Sequence, residues 1–212
     1  MPTAMLSRVE LIERLSETFR RYGYEGASMS RIAKATGLGK ASLYHHFPRG
    51  KEQMAAAAID AVTSWFEDNV FLSLQSAHPP RQRITAMLET LRDHHDSGRL
   101  ACLPSLFALA EERTLFGEAI ANFFARWIDG LSQTLTDSGL ARDIALRRAY
   151  DGVERIQGTL ILCRALADVR CFAALVADLP DQLLAGADRS TLWTTRGNRP
   201  VLPQQPARAL RQ

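Results

Sequence analysis

An all-α fold in two parts, an N-terminal three-helix helix-turn-helix head and a larger helical body of about nine helices in all, is predicted by three observations. Nearly every segment before residue 184 repeats its apolar residues every three or four positions, and none alternates strictly enough to form a strand. Gly23, Gly37, Pro48 and Gly50 punctuate the first fifty residues, so the helices there are short. Charge is also divided along the chain. Residues 1–54 hold nine Lys and Arg against five Asp and Glu, residues 55–184 twelve against seventeen, and residues 185–212 five against one. The only lysines, Lys34, Lys40 and Lys51, all fall in the basic head, which points to an anionic partner there, nucleic acid first among them.

Taken in order, Val9, Ile12, Leu15, Phe19 and Tyr22 form one apolar stripe on a first helix that Gly23 ends. Ser28 is a good N-cap for a short helix over 29–35, with Ile32 and Ala33 facing inward. A third helix runs from Lys40 to about His46, closed by Pro48 and Gly50. From Lys51 the helices lengthen. The next reaches about Gln75 with Met54, Ala58, Ala61, Val62, Trp65 and Phe66 buried, and His78-Pro79-Pro80 stops it. Others are expected at about 81–96, 104–112, 115–137, 142–169 and 172–184. The domains are then a head at 1–54, a body at 55–184 and a flexible basic tail at 185–212 that holds three prolines.

The stretch SMSRIAKATGLGKASLYHHF reads as helix, turn, helix. Ala33 is small where the two helices pass closely, and Gly37 sits where the turn needs a positive φ. With Leu38 and Leu43 turned inward, Lys40, Ala41, Ser42, Tyr44 and one of His45 and His46 are left on the open side. That mixture of phosphate-binding and base-reading groups suits a helix entering the major groove.

Residues 28–54, SMSRIAKATGLGKASLYHHFPRGKEQM, closely resemble the DNA-binding domain of the TetR family of bacterial transcriptional regulators. The matching positions are Ile32, Ala33, Gly37, Leu38, Leu43, Tyr44, His46, Phe47 and Lys51. RLACLPSLFALAEE and GTLILCRALAD further resemble the LmrA and YxaF subgroup, in which a Gly-Cys-Pro element opens the sixth helix. Here it is Ala101-Cys102-Leu103-Pro104. The extra Gly50 of the FPRGKE turn fits that subgroup too. Gly39 departs from the usual Ser or Thr cap, at a cost of only about a few tenths of a kcal/mol.

The resemblance implies a repressor that binds a pseudo-palindromic double-stranded DNA operator as a homodimer, paired through helices near 142–169 and 172–184, and leaves it when a small, mostly apolar effector occupies the body. It implies no cofactor and no enzyme activity. Residue by residue, Ser28 caps a helix whose first amides point at a phosphate, and Lys51 contacts another. Gly39, Lys40, Ala41, Ser42, Tyr44, His45 and His46 lie in and around the groove, Lys40 placed to read guanine and Tyr44 to touch backbone, with Ser30 and Arg31 beside it.

In the body, Trp65, Phe66, Phe107, Phe123 and Trp127 either line an effector pocket or simply fill the core. Cys102 is a further pocket candidate. Beside a helix start its thiol pKa could be lowered, which would make a thiol-sensing regulator, but a small packing residue is the simpler reading. Arg164 and Glu154 lie in an otherwise apolar helix, so each pairs across a dimer interface or reaches the cavity. His45-His46 and His94-His95 are adjacent pairs whose side chains diverge by about 100° on a helix, too far to grip one metal together, so no metal is expected. A positive charge on His94 or His95 would suit a helix C-terminus. An enzyme using Cys102 or His94 would need a base and an orienting partner, and no readable spacing supplies them; nor is there a GxSxG element or a Gly-rich phosphate loop. No apolar run nears the roughly 18–20 residues that cross a bilayer, and MPTAMLSRVE is no signal peptide, so a cytoplasmic location is expected.

Overall fold

A computed structural model of the chain describes residues 6–109 and 113–185. The expected tail beyond residue 185 lies outside them, as do residues 110–112 at the end of an expected helix. The described residues form nine helices and no strand. They are α1 (Arg8–Gly26), α2 (Met29–Thr36), α3 (Lys40–His46), α4 (Lys51–Phe66, prolonged through Glu67–Phe71 and Leu72–Leu74), α5 (Pro80–His94), α6 (Leu103–Ala108), α7 (Arg113–Asp137), α8 (Arg142–Leu166) and α9 (Arg170–Leu184).

A reciprocal capping box starts α1: the Glu10 amide donates to Ser7 Oγ at 3.2 Å and the Ser7 amide to Glu10 Oε2 at 2.8 Å. Its buried stripe is Leu11, Leu15, Thr18 and Phe19. Val9, expected in that stripe, is 67% exposed, because it stands about 130° from the stripe's centre at 3.6 residues per turn. Tyr22 keeps the right angle but lies at the helix end, where the Arg31 guanidinium covers its ring at 4.6 Å and 39% of the residue stays exposed. Gly23 does break the helix, at φ 67° and ψ 178°, and one further turn follows it.

The helix from Lys51 runs nearly as far as expected, but Glu67–Phe71 is a π turn. The wider turn places Phe66 and Phe71, five residues apart, in the same core together with Val70 and Leu74. Ala55 and Ile59 join the buried side of α4, and Trp65 is only half-buried. Arg83 of α5, itself buried, donates to Leu74 O and to Asp137 Oδ2, each at 2.8 Å, which ties the ends of α4 and α7 together.

One continuous buried cluster runs from Leu11 of α1 to Leu183 of α9. The boundary expected near residue 54 falls inside α4, between buried Met54 and buried Ala55. A second joint links head to body. Phe107 of α6 meets Phe19 and Tyr24 edge-on, with ring centroids 5.8 and 6.0 Å apart. On the far side, α8 packs between α7 and α9 and turns Ile161, Leu162 and Leu166 outward, each more than half exposed. No helix among the described residues is long and apolar enough to cross a membrane.

Candidate nucleic-acid interface

The α2–α3 unit is fixed by local hydrogen bonds. Ser28 Oγ accepts from the Arg31 amide at 3.3 Å, capping α2. At the other end Gly37 takes φ 74°, as a left-handed helix stop requires, and its amide reaches Ala33 O at 2.9 Å. Arg14 of α1 donates to Thr36 O at 3.1 Å and so anchors the turn to the first helix. Gly39 is the N-cap of α3 without a side-chain bond, in an ordinary extended conformation.

Leu43 and Phe47 are wholly buried, which sets the rotation of α3. Ala41 and His45 therefore stand opposite the core, Ser42 and His46 to one side and Lys40 and Tyr44 to the other. All are exposed apart from half-buried Ser42, and Ser28, Ser30 and Gly39 are exposed as well. Tyr44 leans on the turn after α3: a Cβ placed on Gly50 would lie 3.2 Å from the tyrosine ring. Arg49 is exposed on that same turn.

Lys51, expected at a phosphate, and Arg31, expected beside the groove, hold partners within the head. Lys51 Nζ donates to Tyr24 O at 3.1 Å, lies 4.2 Å from the Tyr24 ring centroid and 3.6 Å from Glu25. Arg31 donates to Gly26 O at 2.6 Å and covers Tyr22. Both side chains brace the end of α1.

The pocket candidates fall into separate groups. Phe66, Phe123 and Trp127 form one buried aromatic cluster, with Phe66 ring centroids 4.7 and 5.3 Å from the other two. Phe107 belongs to the head–body joint. Trp65 stacks on His94 with centroids 3.8 Å apart. Arg164 is exposed on the outer side of α8, away from that core, because it falls on the same outward arc as Ile161 and Leu162. Glu154 is exposed too.

Cys102 is buried, and burial pushes its thiol above the ordinary range, the reverse of what a reactive thiolate needs. The charge expected on His94 or His95 is likewise not there. Burial first, and the nearby Arg20 charge second, hold each imidazole down to about 3. Sequence reasoning read these histidines only against their own helix end, and Arg20 lies more than seventy residues away in the chain. Among the described residues no three His, Cys, Asp or Glu side chains gather as metal ligands.

Two family models match separate parts of the chain. The family model for bacterial regulatory proteins of the tetR family matches residues 11–58, and that for the C-terminal domain of LmrA/YxaF-like transcriptional regulators matches residues 80–177. The HTH-type transcriptional regulator LmrA of Bacillus subtilis is 24% identical over 186 residues, covering 84% of this chain and 96% of that protein. The uncharacterized HTH-type transcriptional regulator YxaF of the same organism is 26% identical over 178 residues, covering 82% and 93%. Among solved structures, a TetR transcriptional regulator from Legionella pneumophila superposes with a TM-score of 0.74 at 20% identity, covering 85% of this chain and 99% of that one. A helix-turn-helix with an open second helix, set on a body matched by a regulator's own C-terminal model, makes the chain a member of the TetR family of bacterial DNA-binding transcriptional regulators, with an LmrA/YxaF-like body.

Proposed function

We propose that the protein is an effector-released repressor that grips its operator as a homodimer. The observation that carries the reading is the pairing of two open surfaces: the outward row of α3, and the apolar face of α8 at Ile161, Leu162 and Leu166. An isolated helix face of this kind favours burial against a second copy, and α8 with α9 then forms a four-helix joint between protomers. The joint sets the two α3 helices apart, and the operator is expected to be an inverted repeat with half-sites roughly 34–36 Å apart.

Lys40, Ala41, Ser42, Tyr44 and His45 are proposed as the groove contacts, with His46, Ser28, Ser30, Gly39 and Arg49 at the phosphates. Lys51 and Arg31 are proposed to hold the head in shape. A small, mostly apolar molecule in the body acts by binding better to the conformation whose heads are wrongly spaced, since equal affinity for both conformations shifts nothing. Selection of bound duplexes from fragmented genomic DNA tests the reading. Enrichment of an inverted repeat supports it, and retention of bulk DNA without enrichment contradicts it.

A further inference from the structure

A polar cluster lies inside the joint between head and body, and its hydrogen bonding is incomplete. Arg20, on the first helix of the head, donates from Nη2 to His94 Nε2 at 2.6 Å. His94 therefore offers a lone pair there and is neutral. His95, wholly buried, donates from Nδ1 to Leu100 O at 3.1 Å, which leaves its own Nε2 as a lone pair. Cys102 lies close to Arg20 on one side and to the side chain of Gln157, from α8, on the other.

Three polar atoms in this cluster are buried without a partner: Arg20 Nε, His95 Nε2 and Gln157 Nε2. Among the described residues Arg20 makes no ion pair, and Glu17, an acidic residue nearby on α1, is exposed and does not bond to it. A partly buried guanidinium without an ion-pair partner, beside two buried unpaired nitrogens, is costly to leave as it stands. Arg20, Trp65, His94 and Gln157 are each only partly buried, and they form the rim through which a ligand would enter. Trp65, stacked on His94, leads from this polar floor to Phe66 and the aromatic core.

We propose that this cluster is the polar end of the effector site and takes the carboxyl group of an apolar acid. One oxygen of the carboxylate accepts from Arg20 Nε and Gln157 Nε2 and its charge balances the guanidinium, while a proton taken up from solvent with the anion lies between the second oxygen and His95 Nε2. The apolar part lies along Trp65 toward Phe66. The proposal rests on the effector-released reading and adds to it both the ligand class and the route of the signal. The residue that meets the acid belongs to α1, whose Arg14 holds the turn of the recognition unit through Thr36 O. Binding the acid thus acts on the helix that positions α3.

Calorimetry on the full chain tests this with 2-naphthoate, 4-phenylbutyrate and decanoate, each beside its primary amide, and with acetate as an acid lacking an apolar body. The expected result is at least one acid binding ten or more times tighter than its amide, with acetate not binding. Arg20→Gln abolishes that preference, and Arg20→Lys, which keeps the charge, retains part of it. Gln157→Leu serves as a second variant should Arg20→Gln unfold, and it too weakens the acid more than the amide. Equal affinity of acids and amides, no binding by any of them, or an acid preference that survives Arg20→Gln overturns the proposal. The same samples on operator DNA separate the two ideas. Acid preference in a chain that binds no operator keeps the site and sinks the repressor reading; operator release by neutral compounds with no acid preference does the opposite.

Discussion

Gly50 shows how much a single position can fix. It carries φ 65° and ψ −139°, a conformation open to glycine and costly to other residues, and the Tyr44 ring occupies the space where a Cβ would go. Gly50→Ala is expected to lower stability by about 1–3 kcal/mol, read from urea unfolding, and to weaken DNA binding as Tyr44 is displaced. Gly39 is the contrary case. Its backbone is ordinary and nothing lies within 4 Å of the place a Cβ would take, so Gly39→Ser gains a cap bond and raises stability by about a few tenths of a kcal/mol. The histidines give a pH dependence. His94 and His95 are held near 3 in the folded protein but titrate near 6.5 when unfolded, so below pH 6.5 the unfolded chain binds more protons. Stability is full above pH 6.5 and falls as pH drops from there toward 3, by up to about 1.4 kcal/mol per pH unit for each histidine. Urea midpoints at pH 7.5, 6 and 5 check the fall, and His95→Gln is expected to flatten it.

Among the elements, α3 was the most legible, because Leu43 and Phe47 fix its rotation and Gly37 fixes where it starts. The stripe of α1 was less so. Val9 and Leu11 are both apolar within one turn, and only the packing against α4 and α2 decides that Leu11 goes inward. The π turn at Glu67–Phe71 was hidden because a one-residue shift of register leaves an apolar pattern that an ordinary helix also fits. The partners of Lys51 and Arg31 within the head were hidden, because a basic residue at a helix start looks the same in sequence whether it meets a phosphate or a carbonyl such as those of Tyr24 and Gly26. The outward face of α8 supplies the prediction at this scale. Each exposed Ile or Leu buried in a dimer contributes about 1.5–3 kcal/mol, so Ile161→Asp with Leu162→Asp is expected to raise the dimer dissociation constant at least about a hundredfold in sedimentation velocity, with the monomer still folded.

Across the whole molecule, head and body share one core, through α4 and through the Phe19–Phe107 joint. A displacement of α1 therefore reaches α3 without crossing a flexible linker. The division of charge fits the same account, with net positive charge on the head and net negative charge on the body. The most direct test is fluorescence anisotropy of a labelled duplex carrying the selected inverted repeat, titrated at several salt concentrations with the wild type and with Lys40→Ala/Tyr44→Ala. The account predicts tight binding that weakens steeply as salt rises, two protomers or a multiple of two per duplex, and at least a tenfold loss in the double variant. Equal affinity for a scrambled duplex, or a double variant that binds like the wild type, would contradict it.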